Sequence, residues 1–403
     1  MTSSSTMPAL LLERAKATPT APILRFFRRG KWNEVSFETL NAKAALVGGG
    51  LLAVGFTSGD VVAVCSQDGP FCLAAELAIQ GFGGIALVLD PELSGDETRS
   101  RLQLGGAKAL LAGDQEQYDK VDEAWSEISE LRLLVVDGVR GLGELLRLDR
   151  ADLDRRMTLS QLEERGSPSA WEAGVASVNA ASAARRGRGT DSLTHAELVS
   201  KAEAVKEKAG FGPKDSFVLM NSLANDQEYS FAMAASLIAG GVLHFGGPAD
   251  SGHALRAVQP TVVLGSRSWA EQVATDIDRQ TGRARGLKAL ALRSAKSMPM
   301  PASPSRSGPR TFGIAAAAAV GVFWLFSTGW NDVLRIFGAL AICVVVGAAF
   351  VFSGRSVANP LRVRYGLSKC RSVWIPGWDP AAPIGSLSLL QVPFAREDSE
   401  VGR

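Results

Sequence analysis

From Gly55 to Leu89 the chain reads GFTSGDVVAVCSQDGPFCLAAELAIQGFGGIALVL. Asp60-Val61-Val62-Ala63-Val64-Cys65 is a short β-branched run of the kind that forms a buried strand. Cys72 to Gln80 follows with helical spacing, and Gly84-Ile85-Ala86-Leu87-Val88-Leu89 is a second strand. Strand, helix and strand in that order argue for an α/β fold built on a largely parallel sheet.

The same rhythm extends in both directions. Phe37 to Val54 has apolar residues at helical spacing and ends near Gly55. Ala107 to Ala112 and Leu131 to Val136 read as further strands, and residues 145–170, rich in charge, as a loop with a short helix. A helix is predicted over 194–210, a strand over Ser216 to Met220, a helix over 226–240, and strands at Val242 to Phe245 and Pro260 to Leu264. A helix from Trp269 to about Thr281 closes the series.

The chain has 403 residues, enough for one large domain or two ordinary ones. A net charge of +2 gives a nucleic-acid partner no support. Cys65, Cys72, Cys343 and Cys370 form no CxxC pair, so the reading is a reducing compartment without disulfides or zinc. His195, His244 and His253 are too few for a metal or charge-relay site. The apolar run Ala9 to Leu12 is cut by Glu13, too short for a secretory signal, which keeps the first segment in the cytoplasm.

Beyond 280 the composition changes. Thr281 to Arg310 has no acidic residue but carries Arg283, Arg285, Lys288, Arg293, Lys296, Arg306 and Arg310, and its second half is rich in Pro and Ser. Phe312 to Gly329 is uncharged, Trp330-Asn331-Asp332 turns, and Val333 to Phe352 is apolar apart from Arg335. Each run approaches the roughly 20 residues that cross a bilayer. The expectation is a two-helix transmembrane hairpin, Phe312 to Phe352, with Trp324, Trp330 and Arg335 at an interface. Basic residues on both flanks (Arg355, Arg362, Arg364, Lys369 and Arg371 on the far side) place both termini in the cytoplasm and offer contacts to anionic lipid headgroups. The expected organisation is an α/β domain over 1–280, a linker over 281–310, the hairpin over 311–353 and a cytoplasmic tail over 354–403.

Several stretches occur in an order that resembles the adenylate-forming (AMP-binding) superfamily, and its long-chain acyl-CoA synthetases most closely. Trp32-Asn33-Glu34-Val35-Ser36-Phe37 resembles the family's early tryptophan strand, and Gly55 to Val64 its G-x-x-x-G-D-x-V-A segment. Pro70 to Gln80, Gly83-Gly84, Asp90-Pro91 and Gly106-Ala107-Lys108 resemble the parts that follow. Leu193-Thr194-His195-Ala196-Glu197-Leu198 resembles the L-T-H-x-N-L stretch after the phosphate loop, and Gln259-Pro260-Thr261 with Arg267-Ser268-Trp269 a later pair. The likeness covers about 10–280, with a faint echo at 360–385.

The resemblance implies a Gly/Ser/Thr-rich loop with a lysine that cradles ATP phosphates, because glycines let backbone N–H groups approach the anion. Counted back from Thr194, that loop falls on Ala181 to Thr190. Ser182 alone keeps its type; the glycine positions fall on Ala183, Arg186 and Thr190, and the lysine position on Gly189. The family's histidine after the next strand falls on Asn225, and its acidic Y-G-x-T-E motif is missing after the echo. Arg185, Arg186 and Arg188 read as a solvated basic loop, with phosphate binding by charge as the sharper alternative. Asp191 and Ser192 read as the start of a helix over Thr194 to Lys208.

The resulting expectation is a truncated, degenerate pseudoenzyme with no catalytic residues, cofactor or metal. Its loop is reduced to Ser182, Arg185, Arg186, Arg188 and Thr194. Its role would be that of an accessory or assembly subunit anchored in a membrane protein complex. The alternatives are half of a split acyl-CoA ligase and an acyl- or lipid-binding protein.

Overall fold

The structure is a computed structural model that describes residues 6–28, 30–122, 125–137, 155–187, 191–220, 222–245, 251–282 and 355–375, with 387, 390, 392 and 394–395. Two compact units make up the chain, Met1–Ala249 and Asp250–Arg403.

The first unit carries strands β1 Pro22–Arg28, β2 Lys31–Ser36, β3 Val61–Cys65, β4 Ile85–Leu89, β5 Ala109–Ala112, β6 Leu133–Val136, β7 Arg156–Thr158, β8 Ala183–Arg186, β9 Ser192–Thr194, β10 Ser216–Leu219 and β11 Val242–Phe245. One sheet runs β7-β6-β5-β3-β4-β8-β9, parallel throughout except for the antiparallel β8–β9 hairpin. In the other, β10, β11 and β1 are parallel and β2 returns antiparallel to β1. Every residue of β3, β4, β5 and β6 is buried, which is why these strands read as unbroken apolar runs.

Asp60 and Lys108, both in stretches that carried the family resemblance, meet across the sheet. Lys108 Nζ lies 2.5 Å from Asp60 Oδ1, and Arg132 NH2 lies 3.2 Å from Oδ2. Thr57 N donates to the same carboxylate at 2.9 Å. Burial raises the Asp60 pKa, but Lys108, the Thr57 amide and Arg132 outweigh it and hold the carboxyl below its usual range. The cluster ties the chain just before β3 to the stretches entering β5 and β6.

Helix Phe37–Ala53 contains Gly48, Gly49 and Gly50, all buried. Helix propensity disfavours three glycines in a row; packing supplies their reason. A Cβ at Gly48 would overlap the Trp171 ring, at Gly49 the Ser167 backbone, and at Gly50 the Leu162 carbonyl. Helices Leu159–Glu164 and Pro168–Ser177 therefore lie directly on this surface. Trp171 is fully buried and donates from Nε1 to Ala78 O at 2.9 Å, on helix Pro70–Gly81.

The second unit contains helix Ser251–Val258, β12 Val262–Leu264, helix Arg267–Thr281, helix Arg355–Arg364, β13 Ser372–Trp374 and β14 Phe394–Ala395. Its three strands are parallel in the order β12-β13-β14. Tyr365 donates to Asp276 Oδ2 at 2.5 Å, tying the third helix to the second.

Three expectations are corrected. The transmembrane hairpin with Phe312, Trp324, Trp330, Arg335 and Phe352 lies outside the described residues. Among the described residues no helix is long and apolar enough to cross a membrane. The hairpin and the multi-pass location built on it therefore lack support and are withdrawn. In the stretch 145–170, expected to be a charged loop with a short helix, the described part from 155 onward holds that short helix but also β7 and the start of a second helix. Each of these helices is capped by a side chain, Thr158 accepting from Gln161 N and Ser167 from Ala170 N. The predicted helix over 226–240 is α-helical over Asp226–Met233 and then widens to a π turn over Ala234–Ile238, where Ser236 Oγ donates back to Ala232 O at 2.7 Å.

Candidate functional site

Within the segment expected to be a phosphate loop, four of the seven described residues are strand. Ala183 to Arg186 form β8, inserted beside β4 and folded back on β9. Backbone donors around it are spent internally: Ala181 N on Asn179 Oδ1 at 2.9 Å, Ser182 N on Asn179 O at 2.9 Å, and Gly187 N on Asp191 O at 3.0 Å. An anion cradle needs such N–H groups free and convergent. Ser182 Oγ donates to Asn179 O at 2.7 Å.

Arg185 does not face solvent. Its side chain is 1% exposed, against Glu76 at 0% and Asp226 at 35%. It donates from NH1 to Glu76 Oε1, from Nε to Asp226 Oδ1 at 2.7 Å and from NH2 to Leu223 O at 2.5 Å. Its guanidinium carbon sits 4.4 Å from the centroid of the Tyr229 ring, a cation–π arrangement. Gln80 Nε2 bridges Glu76 Oε1 at 3.1 Å and Tyr229 Oη at 3.2 Å. Burial opposes the charge on Arg185, but Glu76 and Asp226 outweigh it and raise its pKa above the ordinary value. With three of its five N–H donors on protein oxygens and its side chain buried, this guanidinium is turned away from any phosphate at the surface.

Arg186 donates from NH1 to Gly105 O at 2.5 Å and from Nε to Ser192 Oγ at 3.2 Å. Arg188, Gly189 and Thr190 lie outside the described residues. Thr194, rather than Asp191 or Ser192, caps the helix His195–Ala209: its Oγ1 accepts from Glu197 N at 3.2 Å, and Glu197 returns the bond to Thr194 N at 2.8 Å. Asn225, at the family's histidine position, caps helix Asp226–Met233 by accepting from Gln227 N at 2.9 Å. Thr194 and Asn225 thus serve local helix geometry.

His195 is fully buried, and neither ring nitrogen has a hydrogen-bond partner among the described residues. Burial lowers its pKa to about 4, so the ring is neutral near neutral pH. The sequence reading missed Glu76, Asp68 and Tyr229. Glu76 carried a signal, being a carboxylate inside the otherwise apolar helix LAAELAIQ, where an acid stays buried only if it is paired. Asp68 accepts Leu223 N on both oxygens, at 3.0 and 3.2 Å. Burial raises its pKa to about 7, and Asp90 and Glu228 push it in the same direction. The Leu223 peptide is therefore held from both ends, by Asp68 on its N–H and Arg185 on its C=O. Among the described residues no cluster of His, Cys, Asp and Glu fits a metal ion.

Residues 11–168 match the AMP-binding enzyme family. No curated protein matches the chain. Among solved structures, a long-chain-fatty-acid CoA ligase (so described, as putative) of Rhodopseudomonas palustris is 18% identical with a TM-score of 0.53, covering 66% of this chain and 65% of its own. Acetoacetyl-CoA synthetase of Streptomyces lividans is 14% identical with a TM-score of 0.61, covering 98% of this chain and 51% of its own. A benzoate CoA ligase of Burkholderia xenovorans is 16% identical with a TM-score of 0.54, covering 66% and 52%. At these identities the likeness is one of fold, and the chain spans between about half and two thirds of these ligases' lengths.

Proposed function

We propose that the chain, whose residues 11–168 match the AMP-binding enzyme family, is a non-catalytic relative of the adenylate-forming enzymes that acts by binding, as an accessory or assembly subunit of a protein complex. The observation that carries this reading is Arg185. In place of a flexible glycine-rich loop, β8 sends a buried arginine inward to Glu76, Asp226 and Leu223 O. The neighbouring backbone donors at 181, 182 and 187 are used within the protein. Phosphoryl chemistry depends on preorganised donors aimed at developing charge, and here those donors are aimed at the protein's own carbonyl and carboxylate oxygens. A fold kept without such a site is a scaffold whose surfaces remain for use.

The test is direct. The purified chain, given ATP, magnesium, CoA and fatty, aromatic or short acids, should form no acyl-CoA and exchange no pyrophosphate into ATP, and magnesium-ATP should leave its melting temperature unchanged. A tagged copy should recover a defined partner at fixed stoichiometry. ATP-dependent acyl-CoA formation by the chain alone would overturn the reading. A second reading, one part of a ligase completed by another polypeptide, draws on the 51% share of acetoacetyl-CoA synthetase that the chain spans. It requires that the recovered partner carry the remainder of the ligase and that the mixture be active.

A further inference from the structure

Asp90-Pro91, at the carboxyl end of β4, is a resemblance-bearing pair that the reading above does not use. Beside it opens a cleft of about 180 Å³, with Leu87, Leu89 and Leu93 among its apolar lining, Asp90 and Arg101 as its charged groups, and Gly187 and Ala224 completing it. Carboxyl ends of parallel strands are where open α/β sheets present ligand crevices. The volume is below the roughly 300–1,000 Å³ of drug-sized pockets, so an occupant is small.

The two charges are not matched to each other. Asp90 Oδ1 accepts Glu92 N at 3.0 Å, and its other oxygen has no hydrogen bond among the described residues. Arg101, on helix Gly95–Gly105, makes no hydrogen bond or ion pair among the described residues; the exposed Glu97 on its own helix is the charge it acts on. Asp90 and Arg101 thus share one cleft without forming a salt bridge. Asp90 lies close enough to Asp68 for its charge to act on that carboxyl. A mostly apolar lining that carries one carboxylate and one guanidinium complements a small molecule with both charges.

We propose that this cleft binds a small dipolar ion, an aminoalkanoate with a short apolar body, its ammonium on Asp90 and its carboxylate on Arg101. The charge-assisted bonds fix orientation and the leucine lining takes the hydrocarbon part. Arg185, Glu76 and Asp226 do not themselves line the cleft, which borders their cluster through Gly187 and Ala224.

The experiment is calorimetric titration of the full chain with 5-aminopentanoate and L-leucine, with n-pentylamine and pentanoate as probes lacking one charge. At least one dipolar ion should bind about tenfold more tightly than either single-charge probe. Asp90→Asn and Arg101→Gln should each weaken that binding about tenfold while leaving the melting temperature unchanged, since both side chains are partly exposed. The proposal is overturned if neither dipolar ion binds at millimolar concentration, if the amine or the acid alone binds equally well, or if both variants bind as the parent does.

Discussion

Arg185 on β8 and Glu76 on helix Pro70–Gly81 are ion-paired where neither meets solvent, their side chains 1% and 0% exposed. They are 109 residues apart in the chain. Arg185 also holds Leu223 O and Asp226, so one guanidinium joins the β8–β9 hairpin, a core helix and the segment leaving β10. Removing one partner of a buried pair strands the other charge, whereas replacing both by apolar groups need not cost anything. Arg185→Met should therefore destabilise the protein by about 3–5 kcal/mol. Arg185→Met with Glu76→Leu should recover most of that loss. Urea denaturation of the two single variants and the double variant measures the coupling. Additive losses in the double variant would show that the pair is not the unit described.

Trp171 is the second keystone. Its ring fills the space left by the missing side chains of Gly48 and Gly81, and its indole N–H satisfies Ala78 O. Trp171→Ala should cost about 3–5 kcal/mol through cavity formation. Gly48→Ala and Gly81→Ala should destabilise by at least about 1–3 kcal/mol through overpacking, although alanine favours a helix more than glycine does. Thermal melts give the sign: a Gly48→Ala variant as stable as the parent would mean that the helices can move apart.

Much of the fold was legible, for a definite reason. β3 and β4 are buried on both faces, so their apolar runs have no competing reading, and Phe37–Ala53 and His195–Ala209 announce themselves by apolar spacing. β7 was missed because it has three residues and one buried side chain. β8 was misread because Ala-Ala-Arg-Arg resembles a solvated basic loop. Its strand character comes from pairing with β4 and β9, and the burial of Arg185 from Glu76 and Asp226, none of which is local in sequence. The withdrawn hairpin rested on apolar run length and basic flanks, which report composition rather than packing. At the site, the loss of loop glycines could be counted in the sequence, but the inward turn of Arg185 could not.

Asp68 gives stability a falling limb. Its pKa is raised to about 7 in the folded protein from an ordinary 3.8. Between those values the folded state holds a proton that the unfolded chain releases, so stability decreases as pH rises through the window and levels off above it. The full shift would be worth about 4 kcal/mol; Asp68 is only partly buried by solvent exposure, so about 1–2 kcal/mol is the expected loss. Asp68→Asn keeps an oxygen for Leu223 N–H and should remove this falling contribution between about pH 4 and 7. An unchanged slope in that variant would assign the effect elsewhere.

The acid limb belongs to His195 and His244. Burial lowers both pKa values to about 4 from 6.5; His244 also has its Nδ1 3.1 Å from Phe217 O, while His195 has no partner among the described residues. A histidine with a depressed folded pKa binds its proton more readily when unfolded, so stability is lost as pH falls from about 6.5 towards 4. Asp68 works in the opposite direction over that range, which places the maximum near pH 7 and makes the acid loss steeper in the Asp68→Asn background. His195 gains nothing from its ring nitrogens in this setting, and burying a polar group without a partner is costly. His195→Leu should therefore be neutral or stabilising near pH 7 and more stable than the parent by about 2 kcal/mol near pH 4.5. Chemical denaturation across that range decides it: if His195→Leu loses stability at both ends, the imidazole has a hydrogen-bonding role that its burial conceals.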